Sequence, residues 1–183
     1  MLGSGGEDRP VSGANRPLIT PPTRRYAGPI LPGMPVIVIG ADTPGGDQIL
    51  SALSSRDGEV RAFATDEAQA ARLRAAGYRV AIGDVSDASH LAAAAFGCFS
   101  AVLVAEAAAD GRERSFALDP AAVHAAWEQA LEEAGVTRAI WVGVAPPRRA
   151  AVPESVVVTT RGRTAAEVAA EVAEQDDRPP AGG

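Results

Sequence analysis

The 183-residue chain contains no lysine: all 17 of its basic residues are arginines. That absence excludes Schiff-base chemistry, a phosphate-loop lysine and any catalytic tyrosine–lysine pair. A GC-rich genome would produce the same bias, and the chemical exclusion holds whatever its origin. Aromatic residues are scarce, at 4% against 46% apolar residues overall. The core must therefore be built mostly from Ala, Val, Leu and Ile, which suits close packing of helices on a sheet. The single cysteine, Cys98, leaves no internal disulfide framework and fits a reducing cytosol. No apolar run approaches the roughly 20 residues that span a bilayer. The opening "MLGSGGEDRP" has no basic segment followed by an apolar one, so neither a span nor a signal peptide is expected, and the expected location is cytoplasmic. Positive charge is also short. The net charge is −6, and residues 1–34 carry four arginines against Glu7 and Asp8, which leaves the remainder near −8. Such a body is a poor partner for nucleic acid, where binding depends on neutralising phosphates.

Residues 1–34 stand apart, holding six of the 14 prolines and six glycines. Proline removes a backbone donor and fixes φ, so neither a helix nor a central strand is expected there. The segment reads as an extended Pro-rich arm. Leu18, Ile19, Tyr26, Ile30 and Leu31 are poor choices for a purely solvated linker. Two readings stand: a flexible tail, or an arm that docks on a protein partner or a second copy of the chain.

From residue 35 a regular rhythm begins. "PVIVIG" (35–40) is a short apolar, β-branched run, the pattern of a buried parallel strand. A helical pattern follows with Ile49, Leu50 and Leu53, then strands at 59–65 and 78–84, each followed by a helix. Further strands are expected at 99–106 and 137–144. Between them the 122–135 helix carries Val123, Trp127, Leu131 and Ala134 on one stripe. Gly77 and Gly135 read as left-handed helix caps. "SVVVTT" (155–160) is a strand candidate whose place, within the main sheet or at an edge, stays open. Thr164 and Glu167 form a capping box for a helix over 164–175. Strands alternating with amphipathic helices imply an α/β fold: a doubly wound parallel sheet of five to six strands, Rossmann-like, with right-handed crossovers. The expected division is an arm over 1–34, a nucleotide-binding-type domain over 35–176 and a disordered tail over 177–183.

"GADTPGG" (40–46) lies where such folds hold a phosphate. The first glycine of the usual frame makes the turn, the second admits the pyrophosphate, and the third allows close helix–strand packing. Gly40 and Gly46 fit the frame, Thr43 takes the middle place, and Gly45, one residue early, restores some freedom to the turn. The Thr43 β-carbon obstructs close approach, and Asp47 repels an incoming phosphate.

The chain from about 35 to 144 resembles the atypical short-chain dehydrogenase/reductases, in particular the NmrA-like, NAD(P)H-binding group. "VIVIGADTPGG", "GYRVAIGDVSD" and "EQALEEAGVTRAIWVGV" carry the resemblance. It implies that Asp84 and Val85 border an adenine and that Ala105 lies near the nicotinamide ribose. Where the group often has an arginine for the 2′-phosphate of NADP, this chain has Thr65. Asp66 lies 20 residues past Gly46, near where an acid binds the ribose of NAD, although an ordinary helix-start role serves it as well. The candidate cofactor residues are thus Gly40, Thr43, Gly45, Gly46, Asp66, Asp84, Val85 and Ala105, and the cofactor is NAD, NADP or none.

The departures point away from catalysis. The serines that commonly end the family's fifth strand are replaced by Gly143 and Val144. The chain also passes from that strand almost directly to the late segment 155–175, without much of a substrate lobe. His90 and His124 have no local metal partners and read as helix-surface residues; Cys98, Trp127 and Trp141 read as core. The expectation is a degenerate, non-catalytic accessory or structural subunit. The alternatives are a small NAD(P)H-dependent reductase resembling the flavin-reductase branch and a dinucleotide-binding redox sensor.

Overall fold

Gly33–Ile39 (β1) is apolar on both faces because both faces are covered: Val36 and Val38 pack into one core layer, Ile37 and Ile39 into the other. A computed structural model describes residues 33–112, 114–144 and 152–180, which includes none of Leu18, Ile19, Tyr26, Ile30 and Leu31. After β1 come α1 (Pro44–Leu53), β2 (Gly58–Ala64), α2 (Glu67–Ala75), β3 (Arg79–Ile82), α3 (Ala88–Ala95) and β4 (Ser100–Val104). The chain continues with α4 (Glu106–Ala109), α5 (Pro120–Ala134), β5 (Arg138–Gly143), β6 (Glu154–Thr159) and α6 (Ala165–Asp176). The six strands form one all-parallel sheet in the order β3-β2-β1-β4-β5-β6. The doubly wound reading thus holds, and β6 joins the sheet as its outer strand, beside β5.

One face of the sheet is covered by α3, α4 and α5, through Leu91, Ala107, Val123, Trp127 and Leu131. The other is covered by α1, α2 and α6, through Ile49, Leu50, Leu53, Leu73, Val168 and Val172. Local signals explain the helix ends. Gly135 closes α5 at φ 69°, a conformation that costs glycine little. Thr164 and Glu167 make the reciprocal bonds of a capping box. The helix α4 is four residues long, too short to show a period, and the sequence pattern did not reveal it.

The amino end of the sheet is tied by Arg138, the first residue of β5, which is only 2% exposed. Its guanidinium donates to Glu154 Oε2 at 2.8 Å, to the carbonyls of Gln175 and Asp176 at 2.8 Å each, and to the Pro179 carbonyl at 3.1 Å. It also lies over the Phe99 ring. Arg56 reaches the Asp176 carboxylate at 2.9 Å. Burial pushes the Asp176 carboxyl above the usual range, and the Ser100 hydroxyl and Arg56 only partly oppose it.

Candidate functional site

In a sheet of this order the connections reverse direction between β1 and β4, and the crevice at the carboxyl ends of those strands is where such folds take ligands. The β1–α1 turn lies there. Gly40 has φ +83°, and a β-carbon on it would come within 2.7 Å of Ala107 Cβ. A β-carbon on Gly46 would fall 2.1 Å from the Gly40 carbonyl oxygen. Gly40 is therefore demanded by its positive φ and the close approach of β4 and α4, and Gly46 by the packing of α1 on the end of β1.

Thr43 is the N-cap of α1 and is buried. Its hydroxyl donates to the Gly40 carbonyl at 2.8 Å and accepts from the Gly46 N–H at 3.0 Å. The hydroxyl proton is thereby engaged inside the turn. Pro44 has no N–H, and the Asp47 N–H is bonded to the Thr43 carbonyl. Among the described residues this leaves the Gly45 N–H as the first-turn donor open to an anion. The position of a β-carbon on Gly45 lies 3.5 Å from a carboxylate oxygen of Glu106, so an acid stands at the mouth of the turn. Asp47 points outward and pairs with Arg72 at 2.9 Å. These residues offer a pyrophosphate one backbone donor and a nearby negative charge, which is a poor fit.

The residue just before the turn's threonine has a larger role than its neighbours. The Asp42 side chain has no exposed surface. It accepts from the Thr65 and Asp66 N–H groups at 2.8 and 2.9 Å, and from Arg112 Nη1 at 2.9 and 3.0 Å. Arg112 also binds Asp110. Burial works against the Arg112 charge, but Asp110 and Asp42 more than offset it, so its pKa lies above the ordinary value. Asp110 is correspondingly lowered, its burial outweighed by the bonds from Arg112. The Thr65 hydroxyl is buried beside this cluster with no hydrogen-bond partner among the described residues.

The remaining expected positions are drawn into the same edge. Asp66 caps α2, accepting from the Gln69 N–H at 2.7 Å. Asp84 accepts from the Ser86 N–H at 2.7 Å, from the Ser86 hydroxyl, and from the Ser115 N–H at 2.6 Å. Burial raises its pKa, but these bonds prevail and hold it below the usual carboxylate value. The Phe116 N–H reaches the Ser86 hydroxyl at 3.1 Å. Val85 is buried, and its carbonyl accepts from Trp127 Nε1 at 2.7 Å. Ala105 directly follows β4, with its N–H on the Val142 carbonyl. A β-carbon on Gly143 would lie 2.8 Å from Ala105 Cβ, so the end of β5 has no room for a serine unless one of the strands shifts. Asp42, Arg112, Ser86 and Ser115 are the members of the edge that sequence reasoning missed. Asp42 and Arg112 are 70 residues apart, a pairing that no local pattern signals.

Other candidate residues take ordinary places. Cys98 is buried, and burial pushes its thiol up to about 11, so it is not a reactive thiolate. His90 is not a free surface residue: it packs edge-on against Phe63 at 5.4 Å. His124 is half-buried, 5.3 Å from the rings of both Trp127 and Trp141, and burial lowers its pKa. No group of three potential metal ligands occurs among the described residues, and no described helix is long and apolar enough to cross a membrane.

The strand order, the glycine turn and the carboxyl-edge crevice define a Rossmann-type nucleotide-binding domain. A family model described as NAD(P)H-binding matches residues 40–177, most of the chain, and the protein belongs to that family. No curated protein matches it significantly. A putative NAD-dependent epimerase/dehydratase from Bacillus halodurans is similar in structure: TM-score 0.58 and 20% identity, over 80% of this chain and 89% of that one. The triphenylmethane reductase of Citrobacter sp., solved with NADP(H), gives TM-score 0.50 and 21% identity, over 78% of this chain and 46% of the reductase. Against the NADPH-dependent quinone oxidoreductase of Escherichia coli the values are 0.46 and 21%, over 60% of this chain and only 34% of the other. The chain thus spans less than half the length of these two reductases.

Proposed function

We propose that this protein is a non-catalytic accessory or structural subunit, a Rossmann domain that works by holding a protein partner. The observation that supports it is the closure of the carboxyl edge on itself. Thr43, Asp42, Arg112 and Asp84 satisfy one another and the nearby backbone, which leaves little for a pyrophosphate to bind. The lack of lysine and the tight approach of Gly143 to Ala105 agree with the loss of hydride-transfer chemistry. In this reading the arm over residues 1–34 is the attachment device, through Leu18, Ile19, Tyr26, Ile30 and Leu31, to another protein or a second copy. The lone buried thiol fits a cytoplasmic setting.

The test compares the full chain with one lacking residues 1–31, by light scattering and by recovery of partners from the native host. The expected result is an assembly that the full chain enters and the shortened one does not. A full chain that stays a monomer in both settings, or that turns over NAD(P)H with a flavin or quinone acceptor, would sink this reading.

A second reading, a dinucleotide-binding redox sensor, is favoured by two specific features: the glycine turn keeps its geometry, and the Thr65 hydroxyl at the end of β2 has no partner among the described residues. Calorimetric titration with NAD(H) and NADP(H) tests it. Saturable binding that alters partner affinity is expected, and no heat at millimolar nucleotide would remove it.

A further inference from the structure

We propose that Asp42 is a resident anion: its carboxylate fills the position that the 2′-phosphate of NADP would need, and so makes the edge selective for adenosine nucleotides without that phosphate. The inference rests on the second reading above, that the edge can admit a nucleotide, and its test separates the two.

The argument starts from where an adenosine ribose lies in such a fold. The residue that recognises it stands about 20 positions past the glycine turn, at the end of β2, and an arginine nearby takes a 2′-phosphate when there is one. Here that place is Thr65–Asp66. Its two consecutive backbone N–H groups converge on Asp42 Oδ2 at 2.8 and 2.9 Å, and Arg112 supplies the guanidinium at 2.9 and 3.0 Å. Two backbone donors and an arginine are the partners a phosphate oxygen would seek. All of them are already held by a carboxylate with no exposed surface. A 2′-phosphate must therefore displace Asp42 or lie beside a buried like charge, and in a partly desolvated site that repulsion is strong. A ribose hydroxyl carries no such penalty. The Thr65 hydroxyl, buried at the same place with no partner among the described residues, is a neutral group suited to it.

The probes are 5′-AMP and adenosine 2′,5′-bisphosphate, which report the adenosine end alone and need no turnover. Binding is measured by calorimetry on the full chain, with circular dichroism to verify folding. The wild type is expected to favour AMP by about tenfold or more. Asp42→Asn removes the charge, and the bisphosphate should then bind at least as tightly as AMP. Arg112→Gln keeps the Asp42 charge and removes its partner, so the preference for AMP should widen. A merely structural cluster would not move the two variants in opposite directions.

A wild type that takes both probes equally overturns the proposal while leaving the sensor reading intact. A wild type that takes neither probe sinks the proposal together with the sensor reading, because no selectivity is then left for Asp42 to set. A folded Asp42→Asn that does not gain the bisphosphate overturns the proposal. Should that variant not fold, Arg112→Gln decides: a preference for AMP wider than in the wild type supports it, and any other result overturns it.

Discussion

Both ends of the parallel sheet are tied by an arginine, and the two ties differ in kind. At the amino end Arg138 is sunk among a carboxylate and three carbonyls that belong to β6, α6 and the residues after it. At the carboxyl end Arg112 bridges Asp42 and Asp110 from a loop, with 16% of its side chain open to solvent. A buried charge is tolerable only when nearly every donor is paired, so the amino-end tie cannot be loosened without cost to the fold. The carboxyl-end tie involves fewer elements and lies where a ligand would enter. The same chemistry thus serves as an anchor at one end and as a closure at the other.

The largest break in this contrast should come from Arg138→Ala. It takes the guanidinium from beside Glu154 and from the carbonyls at and just after the end of α6, and a loss of about 3–5 kcal/mol is expected in urea unfolding. A loss under about 1 kcal/mol would mean that the amino end is no anchor. Gly46→Ala should follow, at about 2–3 kcal/mol, because its β-carbon would fall on the Gly40 carbonyl. Arg112→Ala should cost only about 1–2 kcal/mol, since Asp42 keeps its two backbone donors. A cost equal to that of Arg138→Ala would erase the distinction between the two ends. The smallest effect is a slope with pH. Burial lowers the His124 pKa below its ordinary 6.5, so the unfolded chain binds the proton more readily. The contribution of a neutral His124 is present above pH 6.5 and is lost as pH falls through and below that value. His124→Gln should flatten that part of the melting-temperature profile, and an unchanged profile would remove His124 as its source.

The elements with a period of their own were legible in the sequence. The β1 run, the α5 stripe with its Gly135 cap, and the Thr164–Glu167 box all appear as read, because each depends on residues within a few positions of one another. The edge of the sheet was not legible in the same way. Gly40, Gly46 and Asp84 were recognised as residue types, but what they touch is set by the strand order. Asp42 accepts from residues 23, 24 and 70 positions away, and Arg138 lay inside a run that reads as a plain apolar strand. The helix α4 was missed because one turn carries no repeat. The outer place of β6 became clear only once β5 was seen to offer it a parallel edge.

The two tryptophans of the chain stand with their ring centres 6.0 Å apart, both buried, on the face of the sheet that α5 covers. All of the indole emission of this protein therefore comes from one side of the sheet, next to an imidazole that can quench it. Loosening of α1 or α6 on the opposite side would pass unseen in tryptophan fluorescence until the strands themselves part. A melt followed by fluorescence would therefore lag one followed by helical circular dichroism if that opposite layer goes first.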